Sequence, residues 1–264
     1  AGAKVLLVAR SADKLEVIKE EIEAAGGEAY VHPCDLADVD DIERMGKEVL
    51  AEHKHVDVLV NNAGRSIRRS VEASYDRFHD YERTMQLNYF GSLKLILTLL
   101  PRMRERKSGH IINVSSIGVQ TNTPRFSAYV ASKAALDAFS RTIASEIIDD
   151  RVHITSIYMP LVRTAMIAPT KMYDAFPTMT HEKADEMITG AMISKPKKVA
   201  TKLGNFGELL YAISPKASDA VLNQGYKLFP DSKAAKGEVG SGEAEKAVST
   251  EAVAFAHLLR GVHW

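Results

Sequence analysis

The 264-residue sequence holds one cysteine, one tryptophan and no net charge, with 34 Lys and Arg balancing 34 Asp and Glu. A single cysteine excludes a disulfide framework and any all-cysteine metal site, and it fits a reducing, cytoplasmic setting. The zero balance supplies no global field for nucleic acid, whose binders carry a basic face. The longest uncharged run, Ser108 to Pro124, is punctuated by Ser, Thr, Asn, Gln and Gly, so no transmembrane segment is expected. With 16 Gly and 9 Pro the chain is neither collagen-like nor low in complexity. The opening lacks a signal peptide: it starts at Ala1, enters an apolar run almost at once and reads as cut at the front.

What is present is an alternation of short apolar runs and helical periodicity. Lys4–Ala9 is a strand candidate, followed by Leu15, Ile18, Ile22 and Ala25 at helical spacing until Gly26-Gly27. Glu28–Cys34 reads as a second strand, and Asp38 as the cap of a helix with Ile42, Met45 and Val49 inside. Val58–Val60 suits a strand buried on both faces. A long helical stretch from Ser74 to Arg106, a strand Ile111–Val114, a helix Ala128–Ile148 and a strand Val152–Tyr158 complete the pattern. Such alternation predicts an α/β fold, a Rossmann-type doubly wound parallel sheet with helices on both faces. Ligands then sit at the carboxyl ends of the strands, just after Ala9, Asp35, Val60, Val114 and Tyr158.

Those positions carry a distinctive set of residues. Val60 runs into Asn61-Asn62-Ala63-Gly64, where small residues let backbone approach a flat ligand and amides can pin neighbouring strands. Val114 leads into Ser115-Ser116, and Tyr129 follows with Lys133 four residues on. Positions i and i+4 share a helix face, so phenol and ammonium face the same space. A nearby cation is expected to lower the tyrosine pKa and make it an effective general acid. A serine hydroxyl beside it suits a substrate oxygen that gains charge. No metal is required by these residues.

In these motifs the sequence resembles the short-chain dehydrogenase/reductase family, to about residue 165. The resemblance implies that Ser116, Tyr129 and Lys133 form a catalytic triad, with Ser116 and Tyr129 also on the substrate. Asn88, in TMQLNYFG, matches the asparagine that completes a tetrad through a water relay. Hydride passes between a nicotinamide cofactor and a carbonyl carbon in that family. The resemblance places Asp35-Leu36 at the adenine, Asn62-Ala63-Gly64 beneath the adenosine ribose, and Tyr129 and Lys133 also among the cofactor contacts. At the end of the strand where NAD-selective folds carry a carboxylate, this chain has Ala9 and then Arg10. A guanidinium on a ribose 2′-phosphate is worth roughly 1.5–3 kcal/mol, which points to NADPH.

Two departures accompany the resemblance. The family's first strand and glycine-rich loop are missing before Ala1-Gly2-Ala3-Lys4, so about 25 residues of a βα unit are expected upstream. The family's Pro-Gly-x-Val-x-Thr reads Met159-Pro160-Leu161-Val162-Arg163-Thr164, which keeps Val162 and Thr164 as cofactor contacts but alters the glycine position.

Within the family the stretches NNAGRSIRR, SSIGVQTNTPRFSAYVASKAALDAFSR and ITSIYMPLVRT are most similar to bacterial long-chain fatty acyl-CoA reductases. The resemblance implies acyl-CoA reduction to aldehyde; another lipophilic carbonyl is the alternative substrate. Six of the nine methionines, between Met159 and Met192, suit a long apolar ligand. Cys34, next to Asp35, reads as a structural thiol and not an acyl-carrying nucleophile. Arg65, Arg68 and Arg69 are candidates for the phosphates of CoA. The family commonly forms homo-oligomers through its two long helices. Residues 1–230 form the expected domain, and 231–264 a linker and short helix from Thr250, which can dock on a subunit or a membrane surface.

Overall fold

A computed structural model of the chain describes residues 2–164 and 178–231. Met166, Met172, Phe176, the linker and the helix expected after Thr250 lie outside the described residues. Strands and helices alternate as β1 (Lys4–Ala9), α1 (Ala12–Ala24), β2 (Glu28–Pro33), α2 (Val39–His53) and β3 (Val58–Asn61). After β3 come α3 (Phe78–Met85), α4 (Ser92–Glu105), β4 (Gly109–Ser116), α5 (Ile117–Thr121), α6 (Ser127–Ile143) and β5 (Val152–Met159). Then α7 (His181–Ser194), β6 (Lys198–Ala200), α8 (Lys202–Ile213) and α9 (Pro215–Leu228) follow.

Every strand pair is parallel. β1 pairs β2, and β3, β4, β5 and β6 form a four-stranded sheet in that order. No ladder joins β1 to β3 among the described residues. The two sheets share one core all the same: Leu6 and Val8 of β1 pack against the cluster of Leu59, Ile96, Leu99 and Ile111. Successive residues of a strand face opposite sides. Ile111 therefore enters that cluster, while Ile112 joins Val114, Ile157, Met159 and Ala184 on the other face. Layers on both faces make the doubly wound architecture that the alternation predicts.

Local chemistry sets the element ends. Gly26 takes φ +81° after α1, a conformation that glycine adopts without strain. The Asp38 carboxylate accepts from the Asp40 and Asp41 amides at the start of α2, and Ile42, Met45 and Val49 are buried beneath. β3 departs from the expectation: Leu59 is buried but Val58 is exposed, so the strand is covered on one face for part of its length.

The stretch 74–106 is not one helix. A short 3-10 turn at Glu72–Ser74 precedes α3, and a π turn at Gln86–Gly91 separates α3 from α4. Gly91, at the end of that turn, lies directly against the Leu36 carbonyl, where a Cβ would collide with the oxygen. Gly91→Ala should therefore lower stability by about 2–3 kcal/mol, measured by urea unfolding, since neither partner atom can rotate away. α6 likewise stops at Ile143, five residues short of the expected end, and a 3-10 turn at Ile148–Asp150 takes the chain to β5. Arg104 and Lys107 hold that turn through Asp150, at 2.5 and 2.8 Å.

Candidate active site

Ser116 is the last residue of β4 and the cap of α5, its side chain accepting from the Gly118 amide at 3.1 Å. The first turn of α6 presents Tyr129, whose phenol is buried on the Ser116 side of that helix, near enough for the serine hydroxyl to influence its ionisation. Lys133 lies one turn further on the same helix face and is 4% exposed. Its ammonium donates to the Val114 carbonyl at 2.7 Å. The serine, tyrosine and lysine singled out in the sequence are thus brought together at the carboxyl end of the sheet.

Their electrostatics differ from the expectation. Burial raises the Tyr129 pKa, and the Ser116 hydroxyl opposes that only in part. Burial also pushes the Lys133 ammonium down to about 8. Helical spacing puts Lys133 near Tyr129, but its ammonium is bonded to a main-chain carbonyl while both groups are desolvated. Unfolded lysine titrates near 10.4, so between about pH 8 and 10 the unfolded chain binds more protons at this position. Stability from this group is therefore lowest at and below about pH 8 and rises through that window. The cost is on the order of 3 kcal/mol. Lys133→Met should flatten this part of the pH–stability curve, measured by denaturation of both proteins across pH 7–10.

Asn88 sits in the π turn and is fully buried. Its Oδ1 accepts from the Arg65 amide at 2.8 Å, and its Nδ2 donates to the Arg65 carbonyl and to Ser132 Oγ at 2.8 and 2.9 Å. Ser132 in turn donates to the Tyr129 carbonyl at 2.7 Å. Ser132 was not foreseen as a site residue, although its position directly before Lys133 was the available signal. The chain from Arg65 through Asn88 and Ser132 fixes the α6 turn that carries Tyr129.

The NNAG segment behaves as its composition suggests. Asn61 Nδ2 donates to Asn113 Oδ1 at 2.8 Å, and Asn113 donates to Ser140 Oγ at 2.8 Å, tying β3, β4 and α6 together. Asn62 and Ala63 are exposed beyond the strand. A Cβ on Gly64 would stand 3.3 Å from Asn88 Oδ1 and 3.4 Å from Lys133 Nζ, so the missing side chain lets this loop run close to both.

The remaining predicted contacts occupy the same end of the fold. Arg10 is exposed just after β1 and forms no ion pair among the described residues. The Asp35 carboxylate accepts from the Ala37 amide at 2.9 Å, and Leu36 packs on the first core cluster. After Pro160, Val162 bridges to Met179 and Thr164 is half-buried, so the chain turns out of β5 without a glycine.

The expectation for Arg68 and Arg69 is corrected by their contacts. Arg68 donates to the Phe229 and Pro230 carbonyls at 2.9 Å each, and Arg69 lies 3.2 Å from the buried Asp80 carboxylate. Nearby, Ser70 N and Arg125 both bond Asp231, and Arg125 also covers the Tyr226 ring at 3.8 Å. These cations fasten the segment after NNAG to the end of α9 and to α3 instead of standing ready for a phosphate. Three arginines within five residues, Arg65, Arg68 and Arg69, could be read from the sequence; the distant acceptors of Arg68 and Arg69 could not.

A parallel doubly wound sheet with Ser116, Tyr129 and Lys133 at its carboxyl end defines a dehydrogenase or reductase of the short-chain type. Residues 1–173 match the family model described as short chain dehydrogenase, and the chain belongs to that family of nicotinamide-dependent oxidoreductases. It is 53% identical, over its whole length and 88% of the other protein, to a fatty acyl-CoA reductase of Acinetobacter baylyi. Among solved structures it is similar to a short-chain dehydrogenase from Streptomyces avermitilis, with TM-score 0.69 and 27% identity over 84% of this chain and 88% of that one. A metagenomic short-chain oxidoreductase in complex with NADP is 34% identical, with TM-score 0.57, over 62% of this chain and 73% of that one. Among the described residues no helix is long and apolar enough to cross a membrane.

Proposed function

We propose that the chain reduces long-chain fatty acyl-CoA to fatty aldehyde with NADPH, by direct hydride transfer. The observation that carries this reading is the joint placement of Ser116, Tyr129 and Lys133 in a chain 53% identical to a fatty acyl-CoA reductase. The residues fit a nicotinamide nucleotide. Lys133 is buried with one acceptor among the described residues, so two ammonium hydrogens suit ribose hydroxyls. Asp35, Leu36, Asn62, Ala63 and Gly64 would hold the adenosine side, Val162 and Thr164 the nicotinamide side, and the exposed Arg10 would suit a 2′-phosphate.

When bound, NADPH supplies the hydride. Tyr129 gives its phenolic proton to the thioester carbonyl oxygen, and the Ser116 hydroxyl donates a hydrogen bond to the same oxygen. Hydride on carbon and proton on oxygen give a hemithioacetal, whose C–S bond then breaks to release aldehyde and the CoA thiol. Asn88 acts on the frame of the site, through Arg65 and Ser132. Cys34 takes no part: it is 2% exposed, and burial pushes its thiol up to about 12, so no thiolate is available to carry an acyl group.

Residues 1–230 form the catalytic domain in this reading, and Arg125 holds Asp231, the next residue, against it. The exposed Phe90 and Leu97, on and beside α4, suit a homo-oligomeric contact, and one cysteine suits the cytoplasm. The test follows NADPH oxidation by the full-length protein with a long-chain acyl-CoA, alongside a thiol stain for free CoA. Equal NADPH loss and CoA release supports the reading. Oxidation with fatty aldehydes or ketones and none with acyl-CoA leaves a lipophilic carbonyl reductase, and an acyl group trapped on Cys34 overturns the mechanism.

A further inference from the structure

Nothing in this chemistry uses the seam between β2 and α2, yet three metal-ligating side chains meet there. His32 on β2, with Glu52 and His53 on the last turn of α2, place one ligand atom each within 4.8 Å of one another. His32 is 9% exposed and the His53 side chain 13%. Both Nε2 atoms are buried, and neither has a hydrogen-bond partner among the described residues. The Glu52 carboxylate stands 3.7 Å from His53 Nε2, beyond hydrogen-bond length. The rings of His32 and His53 meet at 84° with centroids 5.7 Å apart, and Tyr30 packs edge-on against His53 at 4.5 Å.

Two imidazole nitrogens buried without a partner are costly, and native folds leave few such atoms unsatisfied. We infer that His32 Nε2, His53 Nε2 and a Glu52 carboxylate oxygen bind one divalent transition-metal ion of the zinc class. Two imidazoles and a carboxylate suit Zn²⁺, with water in a fourth position. Neutral imidazole is the form that ligates, and burial lowers the pKa of His32 accordingly. Ligand atoms of a tetrahedral zinc site lie roughly 3.3 Å apart, so Glu52 and His53, at 3.7 Å, need to draw in only slightly and the widest pair by at most about 1.5 Å. Glu52, half exposed at the helix end, is free to adjust its own distances to the two imidazoles. The ion would pin the end of α2 to β2 and stabilise the folded chain by linkage.

Zn²⁺ titrated by calorimetry into the chelator-treated full-length protein tests this, with thermal melts of the same samples. Wild type should bind one ion at this site about tenfold or more tighter than His53→Ala, with Glu52→Gln in between. Saturating Zn²⁺ should raise Tm by about 5 °C or more in wild type and much less in His53→Ala. His55→Ala, on the loop beyond α2, should match wild type. If His32→Ala fails to fold, the two helix-end variants still decide the matter. Equal zinc affinity in wild type and His53→Ala overturns the proposal, as does a wild-type Kd weaker than about 100 μM.

Discussion

Tyr129→Phe should lower kcat for NADPH-dependent CoA release by about 10²–10⁴-fold. KM for acyl-CoA should change far less, because the phenolic proton matters only as the carbonyl oxygen gains charge. Phenylalanine keeps the ring that packs edge-on against Phe126 with centroids 6.4 Å apart, and it removes only the O–H. Folding should therefore survive while turnover does not. The raised Tyr129 pKa has a sign consequence as well. A general acid works in its protonated form, so wild-type kcat should hold through neutral pH and fall only on the alkaline side. A variant that keeps more than about a tenth of wild-type kcat would remove Tyr129 from the role of proton donor.

Asp80→Ala should cost about 3–5 kcal/mol of stability. Asp80 is 2% exposed on α3, with Arg69 at 3.2 Å, Arg77 at 3.9 Å and Arg83 in close contact. The substitution leaves three guanidinium groups without the carboxylate they share. Arg77 and Arg83 are partly exposed and can turn to water, but the Arg69 side chain is only 12% exposed. Urea unfolding of both proteins measures the difference, and a loss under about 1 kcal/mol would mean that water already screens the cluster. Activity should fall too, because Arg69 belongs to the segment that begins with Arg65, the partner of Asn88.

Much of this architecture was legible because buried parallel strands read as continuous apolar runs. β1 begins and ends where the pattern places it, and β2 and β5 differ from it by one residue. Ser116 and Gly64 were legible because they stand at or just past strand ends, where such sheets bind, and Tyr129 and Lys133 because their spacing by four puts them on one face near the start of α6. The π turn was not, because it interrupts the helical spacing of 74–106 for only six residues, and the approach of Gly91 to Leu36 exists only in the folded chain. Lys133 gives the same lesson in electrostatics. Spacing by four residues fixes which helix face it occupies, but the burial that moves its pKa is set by the whole fold.

The tether behind NNAG also has a bearing on the order in which the molecule is made. Arg68 reaches carbonyls 161 and 162 residues further along the chain, and Ser70 and Arg125 depend on Asp231. During synthesis, β3, β4 and α6 leave the ribosome long before α9 exists. Closing a loop of that length is an entropic cost met only when its far end arrives. The segment from Arg65 to Ser70 is thus among the last parts of the site to be fastened, and newly made chains acquire a complete active-site wall only after residue 231 has emerged.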